Sequence, residues 1–180
     1  HGGAAAGEKR LRAFLKSGLP LYATDRNDPD ADVASGLSPY LHFGHISAHE
    51  VFSSLMKREA WRPEKISGVV NGQREGWWGA SPEAESFLDE LITWRELGVV
   101  MCSLREDYRS FDSLPDWALK TLAKHESDPR PTLYTLEKLE AAKTHDPIWN
   151  AAQRQLVAEG RIHNYLRMLW GKKVLEWSKT

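Results

Sequence analysis

Helix start signals recur along almost the whole chain, while no stretch alternates apolar and polar residues for long enough to make a strand. Ser38-Pro39 reads as an N-cap followed by proline at the first helical position, where its missing N–H costs nothing. Ser47-Ala-His-Glu50 has capping-box spacing and opens Val51-Phe-Ser-Ser-Leu-Met. Ser81-Pro82-Glu83 predicts a long helix to about Cys102, and Pro115-Asp-Trp117 one to about His125. Thr135 opens a short helix. Asp146-Pro147 starts one that stops at Gly160, a natural C′ residue, and Arg161 begins the last, to about Trp177. Residues 23–34, 62–80 and 127–131 are rich in Pro, Gly, Asp and Asn and read as loops. No internal repeat is visible. The expectation is an all-α fold, a single multi-helix domain over residues 1–180 with long connecting loops.

Composition narrows the function classes. Lys plus Arg number 24 and Asp plus Glu 25, so the net charge is −1, which excludes a histone-like polyanion binder. Hydrophobic residues at 41% and charged residues at 27% are those of a folded globular chain. The lone Cys102 excludes an intramolecular disulfide and any multi-thiolate metal site. No apolar run approaches the roughly 20 residues of a membrane span, and no charged-then-apolar leader is present. The expectation is a soluble, cytoplasmic protein without membrane contact, nuclear in a eukaryote. The chain opens at His1-Gly-Gly and stops at Thr180 within a helical pattern, which reads as a piece of a longer protein.

Several segments carry chemistry. Ser35-Gly36-Leu37-Ser38-Pro39 is a small-residue turn entering a helix, where free N–H groups and hydroxyls suit phosphate; taken alone, a simple cap with a relaxed glycine turn is the commoner explanation. In the helix after Ser81, Leu88, Leu91, Ile92 and Val99 predict an apolar stripe with Arg95 inside it, and a guanidinium there needs an anionic partner. Glu90 and Trp94 lie four apart on an adjacent face.

The chain has eight tryptophans, a heavy load for its length. Trp170 and Trp177 are seven apart, about two helical turns or roughly 10 Å. Their rings are expected to neighbour Trp149 on the preceding helix, as a row or as ordinary aromatic core. Ile162, Leu166, Leu169 and Val174 predict the apolar face of the last helix; His163, Arg167, Trp170, Val174 and Trp177 share one side. Residues 150–180 hold six Lys or Arg against two Glu, a local excess of +4 that suits phosphate contact. His42, His45 and His49 have no carboxylate or thiol at ligand spacing, so no metal site is expected.

The segments Ser35-Gly-Leu-Ser-Pro-Tyr-Leu-His-Phe-Gly44, Phe87-Leu-Asp-Glu-Leu-Ile-Thr-Trp-Arg-Glu-Leu97, Thr144-His-Asp-Pro-Ile-Trp-Asn-Ala-Ala-Gln153, His163-Asn-Tyr-Leu-Arg-Met168 and Trp170-Gly-Lys-Lys-Val-Leu-Glu-Trp177 occur in a characteristic order. Together they resemble the C-terminal, FAD-binding helical domain of the DNA photolyase/cryptochrome family, nearest to the class II cyclobutane pyrimidine dimer photolyases. The resemblance implies light-driven repair of pyrimidine dimers in UV-damaged DNA by electron transfer from reduced FAD, in a monomer. It further implies that Tyr22, Ser35, Gly36, Leu37, Ser38 and Arg95 hold the cofactor, and that Glu90 and Asn164 serve the repaired bases. Trp94, His163 and Arg167 would face substrate or DNA, and Trp149, Trp170 and Trp177 would pass electrons. The family's antenna domain and its segment beyond the last helix fall outside the 180 residues. A cryptochrome-like photoreceptor and a flavin-free helical interaction module remain open as alternatives.

Overall fold

The computed structural model describes residues 2–179, and among the described residues there are helices, turns and loops but no strand. The all-α expectation holds. The chain divides into two compact units, His1–Arg105 and Glu106–Thr180.

The first unit opens with α1 (Ala4–Ala13), which runs through a π turn at Phe14–Gly18 and a 3-10 turn at Leu19–Leu21 into α2 (Tyr22–Asp25). The sequence reading places no helix here. The start signal it relies on is missing, because Gly3 stands at the N-cap and has no side chain to offer. Helix α3 (Ser38–His42) starts one residue earlier than the Ser38 cap predicts: Leu37 is the N-cap, Ser38 is helical, and no side chain caps the end. Helix α4 (Ala48–Arg58) begins as expected, with Ser47 accepting the Glu50 N–H at 3.0 Å, and turns Val51, Leu55 and Met56 inward.

Ser81 accepts the Ala84 N–H at the head of α5 (Pro82–Leu88), which passes through a π turn at Asp89–Trp94 into α6 (Arg95–Leu104). Leu88 and Leu91 are buried, as the stripe requires, but Val99 is 45% exposed and α6 buries nothing. The extra residue of the π turn rotates the succeeding helix by about 100°, so the stripe does not continue into α6. Burial of α1, α2, α4 and α5 is organised around an aromatic triangle. Phe14 stands 4.7 Å from Phe87 and 5.7 Å from Tyr22, and Tyr22 meets Phe87 edge-on at 5.4 Å. The long loop before α5 is tied down by the buried Glu85 carboxylate, which accepts the N–H groups of Trp77 and Ala80.

In the second unit, α7 (Asp116–Lys124) and α8 (Leu136–Glu140) sit where the sequence predicts them. Helix α9 (Pro147–Glu159) is fixed at both ends. Asp146 Oδ1 accepts the N–H groups of Ile148 and Trp149 at 2.9 Å each, and Gly160 closes the helix in the left-handed region at φ 67°. Helix α10 (Asn164–Glu176) begins three residues later than expected, with His163 as its N-cap accepting the Tyr165 N–H. Of its predicted apolar face, Ile162, Leu166 and Val174 are half-buried and Leu169 is 44% exposed, while full burial falls on Trp177.

Candidate functional site

In the first unit the Ser35–Ser38 corner is shaped by a residue that sequence reasoning did not single out. Arg10, on α1, donates from Nε to the Ser35 carbonyl at 2.7 Å and from Nη2 to the Ala34 carbonyl at 2.8 Å. Gly36 turns the chain at φ 63°, a conformation that favours glycine, and a Cβ there would stand 2.7 Å from Arg10 Nε, so the Arg10 side chain would have to shift. Ser35 Oγ accepts the Leu37 N–H, while the Leu37 side chain is buried in the core. Arg10 lies 24 and 25 residues from its acceptors, and no spacing rule points across that distance.

Beside this corner an open hollow of about 480 Å³ is lined by Ser38, Leu41, His42, Glu90, Leu91 and Arg95. The Asp89–Trp94 π turn presents Glu90 here. Arg26 binds Glu90 Oε1 at 2.9 Å and places its guanidinium 5.7 Å from the Tyr22 ring centre. Tyr22 is buried in the aromatic triangle, and burial, reinforced by the Glu90 charge, raises its phenol pKa against the smaller opposing effect of Arg26. Arg95 is not enclosed in an apolar stripe, because the π turn swings it out: its side chain is 46% exposed and pairs with neighbouring Glu96 at 3.0 Å. Trp94 is exposed and donates from Nε1 to Asp89, five residues back, a spacing that the wider π turn brings together.

In the second unit the three tryptophans of the predicted row meet. Trp149 on α9 stacks on Trp170 of α10 with ring centres 6.0 Å apart and planes 5° from parallel. Trp177, just past α10, meets Trp149 at 5.6 Å and 65°. Each ring of the stacked pair has its N–H satisfied: Trp149 donates to the Trp170 carbonyl at 3.1 Å, and Trp170 to Gln153 Oε1 at 3.0 Å. Gln153, one turn after Trp149, is the supporting residue that i,i+4 spacing could have found. Trp149 and Trp177 are buried, and Leu139 and Val174 close the cluster. At the head of α10, Arg167 donates to Asn164 Oδ1 at 2.6 Å, beside the His163 cap.

Among the described residues no group of His, Cys, Asp and Glu is placed to hold a metal, and no described helix is long and apolar enough to cross a membrane.

The chain is thus all-α, with a polar-rimmed hollow in one unit and a contiguous indole cluster in the other. No family model matches it. It is 38% identical over 178 residues to the deoxyribodipyrimidine photo-lyase of Potorous tridactylus, covering 99% of this chain and 30% of that protein. It is 42% identical over 166 residues to the deoxyribodipyrimidine photo-lyase of Oryza sativa, covering 92% and 29%. With the deoxyribodipyrimidine photo-lyase of Methanothermobacter thermautotrophicus it shares 41% over 177 residues, covering 98% and 35%. Over nearly its whole length the chain is similar to these photolyases, and it spans about a third of the length of the curated relatives it matches.

Proposed function

We propose that the protein to which this chain belongs is a deoxyribodipyrimidine photo-lyase of the class II type, which splits cyclobutane pyrimidine dimers in UV-damaged DNA, and that the chain is its FAD-binding helical part. The observation that carries the reading is the contact of Trp149, Trp170 and Trp177, three indoles drawn from two helices and the residue after the second. Identity to photolyases over nearly the whole chain supports it independently.

The residues around the hollow fit a flavin nucleotide. The Ser38 hydroxyl and Arg95 guanidinium are donors suited to phosphate, Leu41 and Leu91 offer apolar wall, and about 480 Å³ lies within the range of ligand sites. Gly36, held against Arg10, fixes the turn that presents Ser35 and Ser38. Tyr22 acts from inside the core, by holding the α2–α5 contact and, with Arg26, the position of Glu90. When bound, reduced FAD supplies the light-driven electron.

Glu90 faces the hollow with its carboxylate anchored by Arg26, so it can accept a hydrogen bond from a base brought there. Such a base must leave the duplex stack to reach it. In the second unit, His163, Asn164 and Arg167 supply polar groups at the head of α10 suited to contact with DNA. The three indoles provide an overlapping path for electrons, and the Gln153 oxygen on the Trp170 N–H favours the oxidised ring, because an acceptor stabilises the positive charge left behind.

The test is dimer repair by the full-length protein in light and in darkness. Light-dependent loss of dimers is expected. Photoreduction of the flavin without repair would make the protein a light sensor instead.

A further inference from the structure

The indole cluster does not end at Trp177. The Tyr134 ring lies edge-on to Trp177 with centres 5.5 Å apart, and the Tyr134 N–H donates to the Trp177 carbonyl at 3.0 Å. The Tyr134 hydroxyl oxygen receives the backbone N–H of His145 at 2.8 Å and sits 2.6 Å from His145 Nδ1. With the imidazole in its Nε2–H tautomer, Nδ1 is an acceptor, and the phenol donates to it while its oxygen keeps the backbone N–H. The imidazole is exposed to solvent while the phenol is half-buried. A tyrosine in ring contact with an oxidisable indole, its proton held against a base open to water, is arranged for an electron and a proton to leave together.

We propose that His145 is the proton acceptor that makes Tyr134 the terminal electron donor of the tryptophan cluster. An electron passes from the Tyr134 phenol to the oxidised Trp177 ring as the phenol O–H bond breaks and its proton forms a bond to His145 Nδ1. The products are neutral Trp177, a neutral tyrosyl radical and an imidazolium. In the holoprotein the oxidised indole arises from the flavin photoreduction proposed above, and in that sense the inference rests on that reading. The Lys173 ammonium, 5.6 Å from the Trp177 ring centre, is paired with Glu176 at 2.7 Å, so the positive charge that matters is the one left on the oxidised indole. Transfer to Tyr134 moves that charge to a solvated imidazole. Without a base, oxidation would leave a phenol cation, which is why Nδ1 matters more than ring contact alone.

The experiment needs no flavin, so its failure is separate from failure of the photolyase reading. The tryptophans of the full-length protein, freed of flavin, are oxidised by flash photoionisation, with the ejected electron scavenged, and the tyrosyl radical band is followed. The part assigned to Tyr134 is the part absent from Tyr134→Phe, which sets aside every other tyrosine. In His145→Ala the backbone N–H still holds the phenol oxygen, so only the acceptor is lost. That component is expected to slow about tenfold or more, to recover with imidazole in solution, and to be slower in heavy water only while an acceptor is present. A rate unchanged in His145→Ala, or a loss that imidazole does not restore, overturns the proposal. So does the absence of any Tyr134-dependent radical in the parent chain.

Discussion

Two indole pairs in this molecule look alike and stand in different surroundings. In the first unit, Trp61 and Trp78 stand 6.1 Å apart, and Trp61 Nε1 donates to the Trp78 carbonyl at 2.6 Å. In the second unit, Trp149 and Trp170 stand 6.0 Å apart, and Trp149 donates to the Trp170 carbonyl at 3.1 Å. Separation and hydrogen bonding do not distinguish them; their surroundings do. The Trp61–Trp78 pair ties a long loop back to α4, meets Phe52, and takes its order from the Glu85 and Glu59 carboxylates that bind the same loop's backbone. The Trp149–Trp170 pair is parallel, spans two capped helices, and continues into Trp177, Tyr134 and His145. Ring proximity alone makes a core. A path needs continuation and a polar partner wherever charge will appear.

The sharpest way to break that contrast is to remove one indole from each pair while keeping a ring in place. Trp170→Phe in the flavin-loaded full-length protein is expected to abolish light-driven flavin reduction, and Trp61→Phe to leave it at the parent level; transient absorption reads both. Equal loss in the two variants would mean that the continuation of the second cluster carries no meaning. Truncation tests the packing side. Trp149 is 4% exposed, and Trp149→Ala should cost about 3–5 kcal/mol. Half-buried Trp61→Ala should cost less, with denaturant titration as the measurement for both.

The two units also differ in how legible they are. In the second unit the helix boundaries are set by residues adjacent to them: Thr135, Asp146 and Gly160 each act on N–H or C=O groups within four residues, and local signals of that kind survive in sequence. The indole cluster is legible for the same reason, since Trp170 and Trp177 share a face and Trp149 leads the preceding helix. In the first unit the decisive interactions are long-range. Arg10 reaches Ser35, Arg26 reaches Glu90, and the π turns at Phe14–Gly18 and Asp89–Trp94 shift register without any sequence mark. The outward position of Arg95 has the same origin, because a regular period of 3.6 does not carry through a turn that breaks it. His163 hides its role similarly, as a cap formed by a residue outside the usual capping set.

Smaller substitutions sharpen the same contrast between local and distant control. Gly36→Ala must adopt a left-handed φ and push against Arg10, so a cost of about 1–2 kcal/mol is expected from conformation alone, with more from the clash. Gly160→Ala meets no neighbour within 4 Å and should show only the conformational part. Asp146→Ala removes the acceptor of two helix N–H groups and should cost about 1 kcal/mol. If Gly36→Ala and Gly160→Ala prove equal in urea titration, Arg10 is not pressing on the turn.

The smallest effect lies in the core that the first unit alone possesses. The Tyr22 phenol is raised above its ordinary 10.0, chiefly by burial and secondarily by the Glu90 charge, with Arg26 opposing. The folded state therefore keeps its proton at pH values where the unfolded chain has lost it. Stability from this group is fully present below the ordinary phenol value and drains away as pH rises past it toward the folded one. Tyr22→Phe should flatten that alkaline decline, and Glu90→Gln should bring the phenol titration down toward its ordinary position. Ultraviolet titration beside urea unfolding at several alkaline pH values measures both. A phenol that titrates at its ordinary value in the folded chain would mean that water reaches the Phe14–Tyr22–Phe87 triangle, and the core of this unit would then not be sealed at its centre.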